Sequence, residues 1–318
     1  NGIKGIEAEK MRDHFINKLS SLIDEFPNII LITGDLGFGV FDDFRKNYPD
    51  NFINAGVAEQ NMTGIATGMA LEGKIVFTYS IANFPILRCL EQIRNDACYH
   101  GVNVNIVSIG GGFSYGALGI SHHATEDLSI MRSLPEITVV SPTSFWEVEQ
   151  ATRAIIETKK VCYLRLDKSA GIDIDNNLDE HFIIGKSRML TDGDFCTIFV
   201  TGGILEEVWE AHDELQSLGH RIRIVSVHTL KPFDGSIVLN AAKQTGGIVS
   251  VEENTLDGGL GSLIAETLLD NGVTPKKFLR IGLGSEFSSI VGSQKYLRKC
   301  YGLDSKSIVS KVMKLIQG

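Results

Sequence analysis

Short, largely apolar runs alternate with longer amphipathic stretches along almost the whole chain, and this alternation restricts the fold more than any other feature. Ile29–Thr33, Ile75–Tyr79, Val104–Ile109, Ile137–Ser141 and Val161–Leu166 are short runs rich in β-branched residues and are the candidate strands. Strands alternating with helices imply a parallel sheet covered on both faces. The covering helices are visible in Glu9–Phe26 and Phe145–Thr158, where apolar residues recur at helical spacing. The expected class is therefore α/β, a parallel sheet flanked by helices.

A polar stretch, Asp167 to Glu180, interrupts the alternation and contains Gly171 and the pair Asn176 and Asn177. A second series follows, with strands expected at Cys196–Thr201, Ile222–Val227 and Ile248–Val251 and helices at Leu205–Leu218 and Leu260–Asp270. We therefore expect two domains, residues 1–180 and a smaller α/β unit at 181–318. The formal net charge of -9 opposes nonspecific binding to nucleic acid or to an anionic membrane surface. Cys89, Cys98, Cys162, Cys196 and Cys300 are scattered, with no C-x-x-C pair, so neither a zinc site nor a redox dithiol is indicated. No long apolar run and no apolar leader is read, which makes the cytoplasm the expected compartment.

The most informative chemistry lies in Asn54-Ala55-Gly56-Val57-Ala58-Glu59-Gln60-Asn61-Met62, running on to Leu71. From Ala55 to Leu71 the single charge is Glu59, among small and apolar residues. A carboxylate on so apolar a helix is costly unless it has a partner. Taken alone, it could equally sit in the first turn because the helix dipole favours it. Its surroundings argue for more. Asp35-Leu36-Gly37 follows the first strand, Asn83-Phe84 the second, and Gly110-Gly111-Gly112 with Ser121-His122-His123 the third. In an open α/β sheet these loops converge at the carboxyl edge, where ligands bind.

In these segments, together with Thr78–Phe84, Ser121–Pro135 and His228-Thr229-Leu230-Lys231-Pro232-Phe233-Asp234, the chain resembles the pyrimidine-binding and C-terminal domains of the transketolase family. The resemblance runs from Glu9 to the last helix. It implies that Glu59 hydrogen-bonds the pyrimidine nitrogen of thiamine diphosphate, where a carboxyl in a dry pocket can share a proton. It also implies that Phe84 stacks on that ring, and that Asp35, Leu36 and Ile81 line the same pocket. His122 matches the family histidine that polarises the donor carbonyl and moves protons near it. His123, Arg12 and Lys168 fall at substrate-binding positions, the two cations at places where the family holds a phosphate.

Several positions depart from the family pattern. Ile81 stands where a second aromatic residue is common, and His123 where glutamine is usual. Gly39 replaces a serine, and Leu118 an acidic residue that reads the acceptor's 2-hydroxyl. A site lacking that polar group is expected to discriminate less against deoxy acceptors. The Gly-Asp-Gly…Asn signature that holds the cofactor diphosphate through Mg²⁺ is not seen: Gly34-Asp35-Leu36 aligns with the pyrimidine pocket instead. The resemblance thus implies a partner chain, an N-terminal transketolase subunit with the Mg²⁺ ligands, and self-association into a heterotetramer acting on sugar substrates. The expected reaction is two-carbon ketol transfer from a ketose to an aldose. Deoxyxylulose-phosphate synthase-like condensation, a 2-oxoacid dehydrogenase β subunit and a non-catalytic scaffold are the alternatives. Asp257-Gly258-Gly259-Leu260-Gly261-Ser262 could hold a phosphate at a helix start, but close helix packing is the more ordinary use of such a turn.

Overall fold

The computed structural model of the chain describes residues 10–37, 39–168 and 180–317. The central part of the expected linker, with Gly171, Asn176 and Asn177, lies outside the described residues, as does Glu9. The strands are β1 (Ile29–Thr33), β2 (Phe52–Asn54), β3 (Ile75–Ile81), β4 (Val104–Ile109), β5 (Ile137–Val140), β6 (Val161–Leu166), β7 (Arg188–Thr191), β8 (Cys196–Thr201), β9 (Ile222–Ser226), β10 (Thr229–Lys231), β11 (Ile248–Thr255) and β12 (Phe278–Leu283). In the first half the helices are α1 (Met11–Ser21), α2 (Asp42–Asn47), α3 (Glu59–Leu71), α4 (Phe84–Leu87), α5 (Leu90–Gln92), α6 (Asp127–Ser133) and α7 (Phe145–Thr158). The second half adds α8 (Leu205–Ser217), α9 (Gly235–Gln244), α10 (Leu260–Asp270), α11 (Gln294–Cys300) and α12 (Ser305–Gln317).

Seven strands form the first sheet in the order β10-β5-β6-β4-β3-β1-β2, and five form the second in the order β12-β11-β8-β9-β7. Every pairing is parallel except those of the edge strands β10 and β7. The parallel strands of the first sheet bury every residue of β1, β4, β5 and β6, the polar Asn105, Ser108, Thr138 and Arg165 included. Apolar clusters cover both faces of each sheet. No described helix is long and apolar enough to cross a membrane.

Helix α7 shows how the sequence fixes an element. The Ser144 side chain accepts a hydrogen bond from the Glu147 amide, and the Glu147 carboxylate reaches back to the Thr143 amide at 2.7 Å. Val148, Ala151, Thr152, Ile155 and Ile156 then form one buried stripe. Lys159, left-handed at φ 53°, ends the helix. Helix α1 stops earlier than its apolar pattern extends, at Ser21 rather than Phe26. Pro27 disfavours helical backbone at the residue before it, and the chain leaves α1 through turns.

Strand β11 runs longer than expected. It continues through Glu252-Glu253-Asn254, all three buried. Charges there suggest a strand end on sequence, but each carboxylate has a fixed use. Glu252 accepts the Leu260 and Gly261 amides at 2.7 and 2.8 Å, so the start of α10 is already satisfied by a carboxylate of this chain. Burial pushes the Glu252 carboxyl up to about 7, against the pull of those two amides. The glycine turn before α10 is therefore a packing device, since a Cβ on Gly259 would stand 2.1 Å from a Glu252 oxygen.

Glu253 belongs to a buried joint between the two sheets. Its carboxylate accepts the Phe113 amide at 2.6 Å and the Arg298 Nε at 2.6 Å, and Arg298 also pairs with Glu206. Arg165, on β6, lies 3.1 Å from Asp127 and donates to the carbonyls of Ala124 and Glu253. Both arginine side chains are 1% exposed. Removing one member of such a network leaves buried charge uncompensated. Arg298→Met should lower the unfolding free energy by about 3–5 kcal/mol. Urea titration followed by circular dichroism reads this directly, and an unchanged midpoint would contradict the assignment.

Candidate active site

Parallel pairing puts the carboxyl ends of β1, β3 and β4 at one edge of the first sheet. The register aligns Thr33 with Tyr79 and Ile81 with Ile109, so the loops that follow are neighbours. From β1 the chain crosses to β2 on one side and returns to β3 on the other, which opens a crevice there. Asp35 turns with a left-handed backbone, φ 59°. Asn54, at the end of β2, fixes that turn: its side-chain oxygen accepts the amides of Asp35 and Gly56, and its nitrogen donates to the Asp35 carboxylate at 2.9 Å. Leu36 is held by reciprocal bonds with the Thr33 hydroxyl.

Gly56 leads into α3, whose first residue is Glu59. The Glu59 carboxylate is 4% exposed, and Arg88 Nη1 lies 3.2 Å from its Oε2. A partner for this carboxylate was not legible in the sequence, because Arg88 is distant along the chain and has no motif of its own. The same guanidinium lies 4.4 Å above the Phe84 ring. Phe84 opens α4 just beyond Ile81, and its ring meets His122 edge-on at 5.2 Å. Glu59, Arg88, Phe84 and His122 thus form one continuous contact chain.

His122 is half-buried, with Nδ1 2.9 Å from the Ser121 hydroxyl. Its Nε2 has no hydrogen-bond partner among the described residues. Burial, then the neighbouring His123 and Arg88, hold its ionisation below the ordinary histidine value. A neutral imidazole with one nitrogen engaged and the other open can accept or donate a proton at the open position.

His123 is not brought together with these residues. Its ring is buried, with Nε2 3.2 Å from the Gly116 carbonyl and its edge against Phe113 at 5.1 Å. It packs into the joint between the sheets, because adjacent residues in this loop turn opposite ways. Arg12, near the start of α1, and Lys168, just past β6, do share a neighbourhood. Lys168 Nζ lies 4.7 Å over the Tyr115 ring, and the Arg12 charge acts on Tyr115 and Tyr79. Tyr115 also faces His122 at 6.2 Å and fills the space beside Gly110. Tyr115 carries no motif of its own, although it sits inside the loop between the glycine run and the histidines. Leu118 points outward, 56% exposed.

The geometry of His122 gives a direct expectation. In an NMR titration of the full chain, the His122 ring proton should move with a midpoint below 6.5, and a midpoint above that value would contradict the environment described.

Comparison with known proteins accounts for nearly the whole chain. Residues 8–172 match the transketolase pyrimidine binding domain, and residues 185–308 match the transketolase C-terminal domain. A protein of Methanocaldococcus jannaschii described as a transketolase C-terminal section is 38% identical, over 95% of each chain. One of the subunits of an apulose-4-phosphate transketolase from Phocaeicola vulgatus is 32% identical, over 96% of this chain and 97% of that one. Among solved structures, a split-gene transketolase described as an inactive β4 tetramer superposes with a TM-score of 0.86 at 32% identity, covering 98% of this chain and 99% of the other. With both domain matches in order along its length and a loop-lined crevice where the sheet connections diverge, the chain belongs to the transketolase family.

Proposed function

We propose that this chain is the pyrimidine-binding subunit of a split, thiamine diphosphate-dependent transketolase, moving a two-carbon ketol unit from a ketose to an aldose. The single observation that carries the proposal is the constellation of Glu59, Phe84 and His122 at one sheet edge. The residues fit the cofactor's pyrimidine end by the chemistry they offer. A nearly inaccessible carboxylate stands beside an aromatic face, and a planar nitrogen cation, Arg88, already touches both. When bound, the cofactor supplies the carbon nucleophile for breaking and making carbon–carbon bonds.

Each residue then has a definite task. The Glu59 carboxyl shares a proton with a pyrimidine ring nitrogen and so sets the tautomer. Phe84 stacks on the ring, while Ile81 and Leu36 exclude water. Asp35, clamped by Asn54, shapes the turn that closes the pocket beside Glu59. His122 accepts or returns a proton at Nε2 near the donor's oxygen. Arg12 and Lys168, spaced around Tyr115, draw an anionic group of the substrate.

The diphosphate and its Mg²⁺ are assigned to an N-terminal partner subunit, and the working enzyme to a heterotetramer. The relative described as a transketolase C-terminal section, matched over 95% of its own length, supports this division. The solved relative described as inactive supports it further. So does the uncovered face of α3, where Leu71 is 58% exposed and nothing lies near the Cβ positions of Gly64 and Gly68, together with Val57 just before the helix, 74% exposed.

The full chain by itself should show no ketol transfer. Adding the partner subunit, thiamine diphosphate and Mg²⁺ should restore it, and robust activity from this chain alone would sink the split reading. In the reconstituted complex, Glu59→Gln should assemble normally yet reduce kcat by about 10²–10⁴-fold. A near-normal kcat would remove Glu59 from the mechanism.

A further inference from the structure

We infer that Arg88 is a placeholder for the cofactor's pyrimidine: its guanidinium fills the slot between Glu59 and Phe84 and must leave for the ring to enter. The inference rests on the pyrimidine-pocket assignment above and extends it to a residue with no role there.

The geometry carries it. A pyrimidine bound as proposed needs two contacts at once, a hydrogen bond into the Glu59 carboxylate and stacking on the Phe84 face. Arg88 makes both, at 3.2 Å to Glu59 Oε2 and 4.4 Å to the Phe84 centroid. A guanidinium is a planar N–C–N unit with in-plane donors, and an aminopyrimidine edge presents the same outline. Two planar groups cannot lie on the same Phe84 face and fill the same slot. The occupation is mutually exclusive.

The side chain is also built to leave. Glu59 is 4% exposed, but the Arg88 side chain is 53% exposed and reaches in from the end of α4. Among the described residues it makes no hydrogen bond except that to Glu59. Rotation into solvent therefore breaks one ion pair and one ring contact, and the guanidinium regains water. While it stays in the slot, the cation compensates a carboxylate that would otherwise be buried alone. When the ring enters, it takes over both contacts. Arg88 thus holds the pocket in shape and lowers the apparent affinity by the fraction of time it is in place.

The test uses the full chain without its partner and 4-amino-5-hydroxymethyl-2-methylpyrimidine as the probe, titrated by calorimetry or ligand-observed NMR. Arg88→Met removes the charge and keeps an unbranched side chain. We expect it to bind the probe about 10-fold or more tighter than the unaltered chain. We also expect it to melt at a lower temperature, the sign of an uncompensated Glu59. Equal or weaker binding, undetectable binding in both proteins included, overturns the placeholder. Adding Glu59→Gln separates the two claims. If the double variant binds as tightly as Arg88→Met alone, the probe is not reading Glu59, and the pocket assignment fails with the placeholder. If reconstituted activity depends on Glu59 while Arg88→Met gains nothing, the placeholder alone is lost.

Discussion

Two arginines buried between the sheets hold the geometry on which the site depends. Arg165 reaches Asp127 and the carbonyls of Ala124 and Glu253, and Arg298 reaches Glu253 and Glu206. Charges this deep are stable only when each finds its partner, so the arrangement tolerates little displacement. Ala124 closes the histidine loop and Phe113 opens it, and both backbones are pinned to this network. The glycine run has its explanation here. A Cβ on Gly111 would stand 2.1 Å from Arg165 Nε, and one on Gly112 2.6 Å from Glu253. These glycines admit the joint, and through it the C-terminal sheet sets where His122 stands.

Burial and the nearby His123 and Arg88 charges disfavour protonation of His122, which suits the proton transfer proposed for it. Lys168 lies over the Tyr115 ring and the Arg12 charge acts on the same tyrosine, so both cations of the proposed anion site are gathered around one side chain. On the other side, Asn54 ties the Asp35 turn to the start of α3 through three hydrogen bonds. Glu59 is thereby placed by backbone geometry on two elements at once. Positioning of this kind costs nothing further at the moment of reaction.

The sequence showed the doubly covered sheet because short, mostly apolar runs alternate with amphipathic stretches long enough to be the covering helices. It did not show β2, β7, β10 or β12, which are short or carry charged and polar residues at sheet edges. Strand β10 is the clearest case: Thr229–Lys231 follows β9 at once yet pairs with β5 in the other sheet, and nothing local encodes so distant a partner. Within the candidate site, Glu59 stood out as the one charge on an apolar helix, and Phe84 and His122 because their loops follow strands whose carboxyl ends share one edge. Arg88 and Tyr115 were not, since their roles arise from where their side chains point. His123 shows the reverse difficulty, a polar residue in the right loop whose ring is turned into the joint.

Helix α3 brings these points together. Its buried residues, Glu59, Met62, Thr63, Ala66 and Thr67, form one face against the chain's own core. Gln60, Gly64, Gly68 and Leu71 lie along the opposite face, exposed and at helical spacing. A helix that was to stand permanently in water would carry charges on that face, and this one carries none between Glu59 and Glu72. Glycines there cost helix stability unless close approach of another surface returns it. The same helix therefore presents the Glu59 carboxylate at its start and an uncharged, glycine-lined surface along its length. Under the proposed assembly, a partner lying on that face would rest on the same element that carries Glu59.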